Sequence, residues 1–524
     1  MAEKQKRDRY EMHKYWGKKP SNDLKDLIEK FTVEGDTVLD PFSGYGVFCC
    51  EAFLLNRNII SNDLNPIANF INNQLLTKEI DLNKLEMEWV EIKNEFSSYV
   101  NEWFKFKLGA NEIQLINVLR NNKDVPVKAK YKSTENNKTQ EITFTQSQIE
   151  NYLKYEEEQK IEDWYPTVKL IENSRISAKK GMTVADLFTK RTLACHARLL
   201  ALIERKSSGN ERDLFKLAFT ANLANCSKLV PPIKTRGDMS QGAWMTGFYI
   251  GDTYLENNVL QYFENRFNKI LKGKKDFLSY FENHLFTKAN SQYEVTKYDA
   301  KSLKIPSESI DYVFTDPPYG DAVPYFEQSI IWNSWLKFSP NYEEEIVISD
   351  SKSRNKNTAK FESEINEAFS EIRRVLKSGG HFSLTYHSLS GLEWKAITNA
   401  CIENGFELVD FDWLVQKSFT PRQINRAKSI KGDVLITLEK SPSMNSIILT
   451  EAQTEKLFKN EIESWLYQEP LDTNEIFLRI MKIIFTKKFI IGNIDLLDIL
   501  IKNFGFDNSN KWILNDKLEF CATG

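Results

Sequence analysis

The chain has 524 residues, 41% hydrophobic and 27% charged, an ordinary globular balance that excludes disordered and fibrous classes. At about 100–200 residues per domain it holds roughly three units. Seventy basic against 73 acidic side chains leave a net charge of −3, so no global basic field advertises a polyanion, and any such site must come from local clustering.

Six cysteines without paired CxxC motifs make neither a disulfide scaffold nor a structural zinc site, and no metal is expected. The segment from Met1 to Lys19 is polar and basic, unlike a secretory signal. The most apolar late stretch, Leu478 to Ile501, is broken by Lys482, Lys487, Lys488, Asp495 and Asp498 and cannot span a bilayer. The expectation is a cytoplasmic protein with no membrane partner.

In chain order, Thr37–Asp40 reads as a short strand that ends at the turn Pro41-Phe42-Ser43-Gly44-Tyr45-Gly46. A helical pattern follows from Val47 to Leu55. Asn58–Ser61 reads as a second strand ending at Asn62-Asp63, and Asn65-Pro66 opens a helix to about Leu76. This is the opening half of a doubly wound sheet.

A long insertion, about 77–292, comes next. Its first part, Lys78 to Asp163, carries net −4, with a hairpin expected over Val127–Thr145. Its second part, Pro166 to Ile250, carries net +8 and a helix over about Thr192–Ile203. The insertion reads as mostly helical.

Alternation resumes near Tyr293. Strands are expected at Tyr293–Tyr298, Ile310–Thr315 and His381–Tyr386, with helices at Phe361–Leu376, stopped by Ser378-Gly379-Gly380, and at Leu392–Asn404. Phe406–Val415 and Gly432–Glu439 are two more strands with no helix between them, so they can pair antiparallel. The fold class is therefore α/β, a doubly wound sheet of seven strands, six parallel and the last reversed. The boundaries are 1–76, an inserted domain 77–292, 293–440, and a C-terminal helical extension 441–524 of net charge −3.

Three strand ends carry the chemistry. Glycines after the first strand let backbone approach a ligand and turn into a helix. The single GxG, followed by Val47 and Phe48, matches a pyrophosphate cradle poorly. Asp40 before the turn suits a cationic group such as an amino acid's ammonium. Asp63, 17 residues after Gly46, can accept both hydroxyls of a ribose. Together they point to a nucleoside carrying an amino acid, as in S-adenosylmethionine. At the fourth strand end, Asp316-Pro317-Pro318-Tyr319 offers a carboxylate and a Pro317 carbonyl to the two hydrogens of an exocyclic amine. Tyr319 offers a ring on which a base can stack.

These motifs resemble the S-adenosylmethionine-dependent amino-methyltransferases of DNA, which make N6-methyladenine or N4-methylcytosine, over about residues 10–76 and 293–440. His13-Lys-Tyr-Trp-Gly-Lys-Lys-Pro20 is similar to the family's N-terminal cofactor motif. The resemblance implies S-adenosylmethionine as cofactor and a methyltransferase sheet. It gives the methionine moiety to Asp40, Pro41, Phe42, Ser43, Gly44 and Gly46, the ribose to Asp63, and the adenine to Asp299 and Ala300, with Lys19 and Pro20 closing over the cofactor. Asp316, Pro317, Pro318 and Tyr319 hold the target base. Asp rather than Ser at the head of the last motif favours adenine. Gly320 also resembles RNA guanine-N2 methyltransferases, so N4-cytosine and RNA methylation stay as alternatives, as does a catalytically silent nucleic-acid-binding subunit.

The implied reaction is in-line methyl transfer to a base flipped out of the duplex. The implied partners are double-stranded DNA and a cognate restriction or defence subunit. Phosphate contacts are expected from Lys417, Arg422, Arg426, Lys428 and Lys431 in the loop between the last two strands. A second basic patch in the insertion holds Lys228, Lys234 and Arg236, followed by Trp244, Phe248 and Tyr249. His196 and His387 have no ligand partner at metal spacing, and His13 either touches cofactor or fixes the N-terminal strap.

Overall fold

The computed structural model describes residues 7–132, 138–282, 291–386, 391–414, 433–442 and 445–515. An N-terminal strap, residues 7–20, leads to α1 (Ser21–Phe31), and then β1 (Thr37–Asp40), α2 (Val47–Leu54), β2 (Asn58–Asn62) and α3 (Pro66–Leu76) follow as the sequence predicts. Every residue of α2 is buried, which explains its apolar composition on all sides.

The insertion holds α4 (Leu82–Phe104), a five-stranded sheet with β3 (Lys105–Leu108), β4 (Asn111–Asn121), β5 (Pro126–Lys132) and β6 (Thr139–Thr143), then α5 (Gln146–Glu158), α6 (Lys190–Lys206) and α7 (Gly209–Leu223). The fifth strand, β7 (Thr253–Asn257), pairs antiparallel with β4, and α8 (Val259–Glu282) closes the insertion. Helix dominates, but the sequence showed only one hairpin of this sheet. The strands β4 and β7 come from segments some 130 residues apart, and a long-range pairing leaves no local signature. A buried ion cluster locks the pair: Arg120 on β4 meets Glu256 on β7 at 2.8 Å and Glu156 on α5 at 3.0 Å.

The second half adds β8 (Tyr293–Thr296), β9 (Ile310–Thr315), α9 (Tyr325–Asn333), α10 (Thr358–Val375), β10 (Leu376–Tyr386), α11 (Gly391–Glu403), β11 (Phe406–Leu414) and β12 (Asp433–Lys440). The main sheet runs β8-β2-β1-β9-β10-β12-β11. Only β12 is reversed, antiparallel to both β10 and β11. It therefore lies inside the sheet rather than at its edge. The expected stop at Ser378-Gly379-Gly380 falls elsewhere: α10 ends at Val375 and β10 begins at once. Leu376 pairs with Ile310 and His381 with Tyr312, so the residues between bulge out, with Gly379 at φ 76°. The strand β8 also ends two residues early, at Thr296.

Two apolar clusters cover the two faces of the sheet. One runs from Val38 and Phe48 into Leu199, Phe215 and Phe263 of the insertion, so the insertion packs directly on the cofactor half. The other joins Val313, Ile365 and Trp394 to the C-terminal helices α12 (Glu451–Gln468), α13 (Thr473–Lys487) and α14 (Leu496–Asn503). Trp394 on α11 lies between Phe458 and Phe477, with ring centroids 6.2 and 6.0 Å away. Among the described residues no helix is long and apolar enough to cross a membrane.

Candidate active site

The ends of β1, β2 and β9 stand side by side, because Asp40 is in register with Ser61 and Leu39 with Val313. Thr315 Oγ1 on β9 donates to Asp40 Oδ1 at 3.2 Å. Above these ends lies a cavity, open on one side to solvent, lined by Lys19, Asp40, Pro41, Phe42, Ser43, Gly44, Gly46, Asp63, Asp299, Ala300, Asp316 and Pro318. The four carboxylates the sequence singled out, Asp40, Asp63, Asp299 and Asp316, thus share one space. Pro20, Pro317 and Tyr319 do not line it. Pro20 instead precedes α1 at its N-cap.

The glycine turn is fixed from behind. Gly46 sits at φ 81°, and a Cβ there would come within 1.7 Å of Asn72 Oδ1. Asn72 on α3 donates to Gly44 O at 2.9 Å and accepts from Ser61 Oγ at 3.0 Å. No local pattern marked Asn72, since its partners lie on a neighbouring strand and turn. Asp63 accepts from Gly44 N and Asn65 N, both at 2.8 Å. Those two bonds use half of a carboxylate's four acceptor sites. Burial pushes the Asp63 carboxyl up to about 6, against the pull of the two backbone donors. Burial also raises the Asp40 carboxyl well above the usual range, even though Phe42 N and Thr315 donate to it.

The strap supplies the other wall. Tyr15, Trp16, Gly17 and Lys18 line the cavity. Arg9 pairs with Asp276 on α8 at 2.7 Å, and His13 Nε2 lies 3.1 Å from Thr220 Oγ1 on α7. His13 is buried, which lowers its pKa to about 3, and it does not line the cavity, so it fixes the strap. The insertion therefore holds the strap in place, and the strap roofs the site. Tyr325 on α9 stacks on Tyr15 with centroids 6.1 Å apart and also lines the cavity, as do Phe326, Glu345 and Ile346. Sequence reasoning missed these residues, because α9 is reached only through an irregular loop. Glu345 is pushed up to about 8 by burial and by Glu327, with Arg354 opposing.

Asp316 is held by side chains. Its Oδ1 accepts from Thr385 Oγ1 at 2.8 Å and from the Tyr319 hydroxyl, and Lys19 Nζ lies 3.0 Å away. Burial raises the Asp316 carboxyl and Lys19 pulls it back. Lys19 Nζ also donates to Asp433 Oδ2 at 2.8 Å. Lys19, which lines the cavity, thus bridges the fourth strand end and β12. Gly320 has φ 55°, and a Cβ there would come within 2.7 Å of Glu393 Cγ. Glycine at this position thus answers to a left-handed backbone and to close packing against α11.

Of the expected phosphate contacts, Lys417, Arg422, Arg426, Lys428 and Lys431, like His387, lie outside the described residues. Lys234 and Arg236 are exposed on a single turn of the insertion. Lys228 pairs with Asp124 at 2.7 Å, Phe248 is buried, and Trp244 packs edge-on against Trp332.

A family model described as DNA methylase, of the N6/N4 amino-methyltransferases, matches residues 2–72. The resemblance read from the sequence is to this same family. No curated protein matches the chain significantly. Among solved structures, an S-adenosylmethionine-dependent methyltransferase from Methanosarcina mazei is 14% identical. The match covers 29% of this chain and 69% of that one, with a TM-score of 0.17. Geranyl diphosphate C-methyltransferase from Streptomyces coelicolor is 10% identical, over 32% of this chain and 61% of that one, with a TM-score of 0.18. Phosphoethanolamine N-methyltransferase 2 from Haemonchus contortus is 11% identical, over 80% and 98%, with a TM-score of 0.18.

S-adenosylmethionine is the cofactor of the matched family, and the donor set fits it. The cavity brings together Asp40 at the glycine turn, Asp63 with acceptor sites to spare, and Asp299 beyond β8, acceptors of the kind that the cofactor's ammonium, ribose hydroxyls and adenine amine would need. When bound, the cofactor supplies an electrophilic methyl group.

Proposed function

We propose that the protein methylates an exocyclic amine of a base in DNA, most directly adenine N6, after flipping that base out of the duplex. The observation that carries this reading is that Asp316 opens into the same cavity as Asp40 and Asp63. An acceptor for the base's amino group then stands beside the site that fits the methyl donor. The weakly nucleophilic amine needs orientation above all, and positioning of this kind is worth up to about 7–11 kcal/mol. Asp316 accepts from the amine and turns its lone pair towards the donor. The roof of Tyr15, Trp16 and Tyr325 excludes water. Lys234 and Arg236 supply phosphate contacts, as do the basic residues of 417–431. A role as the modifying arm of a restriction or phage-defence system, with a cognate subunit, accords with this activity.

The test uses labelled S-adenosylmethionine and mixed-sequence duplex DNA, digested to nucleosides. Label is expected in N6-methyladenine. Label only in N4-methylcytosine would move the reading to cytosine, and label in RNA but none in DNA would overturn the DNA assignment. Lys234→Ala with Arg236→Ala should weaken binding evenly across sequences and flatten its salt dependence by about 1 per lost phosphate contact.

A further inference from the structure

The carboxylate that grips the base is not held symmetrically. Its Oδ1 has three donors from this chain: Thr385 on β10, Tyr319 in its own loop, and Lys19 in the strap. Its Oδ2 faces Gly17, where a Cβ would stand 3.1 Å away. Behind Lys19 sits Asp433, the first residue of the reversed strand β12, with a side chain 1% exposed and 2.8 Å from the ammonium. The Lys19 side chain is 7% exposed. A cation this buried, brought from the N-terminal strap to bridge two carboxylates of the second half of the chain, is not a surface pair of negligible weight.

We propose that Asp433 and Lys19 are positioning residues for Asp316: Asp433 fixes the ammonium, the ammonium fixes Oδ1, and Oδ2 is left to accept the hydrogen of the base's amino group. The inference rests on the amino-methyltransferase reading of the site and assigns roles within it. The placement of β12 inside the sheet gains a function by it. A strand reversed between β10 and β11 delivers its first residue, rather than its last, to the edge where the other strands end.

The charge logic gives opposite signs for the two residues. Among the described residues, the charged and titratable groups around Asp316 are Lys19 from the strap, Tyr319 from its own loop, Asp40 from β1, Tyr325 from α9 and Asp433 from β12. Lys19 favours the ionised carboxylate, while burial and Asp433 disfavour it. An ionised Asp316 accepts from the amine, whereas a protonated one presents a competing O–H. Removing Lys19 therefore moves the acid limb of the kcat profile to higher pH. Removing the charge of Asp433 moves it to lower pH. A merely structural role for either residue would lower activity at all pH values alike.

The experiment measures kcat with mixed-sequence duplex DNA from about pH 5 to 9 for the full chain and its variants. Cofactor affinity is followed by calorimetry and folding by thermal melting. Lys19→Met is expected to lose about a hundredfold in kcat near neutral pH and to shift the acid limb up by about 1–3 units, with cofactor affinity retained. Asp433→Asn is expected to shift the limb down, and Lys19→Arg to restore the wild-type profile in part. If Lys19→Met fails to fold, Asp433→Asn and Lys19→Arg carry the test alone. An unmoved limb, limbs moving in the same direction, or loss of cofactor binding in Lys19→Met overturns the proposal while leaving the methyltransferase reading intact. A wild-type chain that transfers no methyl group, or a fully active Asp316→Ala, removes that reading and the proposal together.

Discussion

Asp63 and Asp316 are both carboxylates at the ends of parallel strands lining one cavity, yet they are held by different means. Asp63 is gripped by backbone N–H groups of Gly44 and Asn65, one two residues along and the other in the adjacent turn. Asp316 is gripped by side chains from positions 19, 319 and 385, with residue 433 behind them. Backbone donors carry no charge or titrating proton of their own, so the Asp63 site depends on the shape of the turn rather than on the side chains around it. Side-chain donors bring a cation and a proton balance, so the Asp316 site can be tuned and can be broken from a distance. On the proposed function, Asp63 binds and needs the first kind of support, while Asp316 faces an amine that must change its bonding and benefits from the second.

The largest effect expected is from Asp316→Ala. It should retain cofactor binding by calorimetry and lose at least about a hundredfold in methyl transfer. If cofactor affinity fell in step with turnover, the two carboxylates would not be divided in this way. Next comes Gly46→Ala, whose Cβ meets Asn72 Oδ1. Cofactor affinity should fall at least about tenfold, because strain and displaced backbone cost of order 1–3 kcal/mol.

The Asp63 carboxyl, raised to about 6, gives a smaller and pH-dependent effect. Ribose hydroxyls donate best to the ionised form, so cofactor affinity should drop as pH falls below about 6. Asp63→Asn should be weaker at pH 7 and flat across that window. The same shift acts on stability with the opposite sign. The folded state holds the proton more tightly than the unfolded state, whose carboxyl titrates near 3.9. This group's contribution is therefore fully present below that value and is lost as pH rises through about 6. A urea titration of Asp63→Asn against the parent at pH 5 and pH 7 checks it. The smallest effect belongs to Thr385→Val, which removes one of three donors to Oδ1. A loss of a few fold in kcat with unchanged cofactor affinity is expected, at about 0.5–1.5 kcal/mol for one bond.

The sheet domain was legible because its signals are local. Thr37–Asp40 and Ile310–Thr315 are apolar runs bounded by turns, and the structure keeps those bounds. The Asp-Pro-Pro-Tyr turn and the glycine turn each announce themselves within seven residues. The five-stranded sheet of the insertion was not legible, since β7 joins β4 across α5, α6 and α7. The bulge in β10 was misread for a related reason: Ser378-Gly379-Gly380 looks the same whether a helix stops there or a strand kinks. Lys19 shows how residue type and role separate. Its motif pointed to the cofactor cavity, which it lines, while the two carboxylates its ammonium meets are brought near it only by folding.

The sequence alone determined which strand ends carry acid and glycine, and so the kind of ligand and chemistry the cavity suits, because those features depend on a few consecutive residues. The tertiary structure decided which groups stand behind each carboxylate: Asn72 behind the glycine turn, the insertion's helices behind the strap, and Lys19 with Asp433 behind Asp316. The charge state of a buried carboxylate is set by what lies within a few ångströms in space, and Lys19, Thr385 and Asp433 reach Asp316 from distant parts of the sequence.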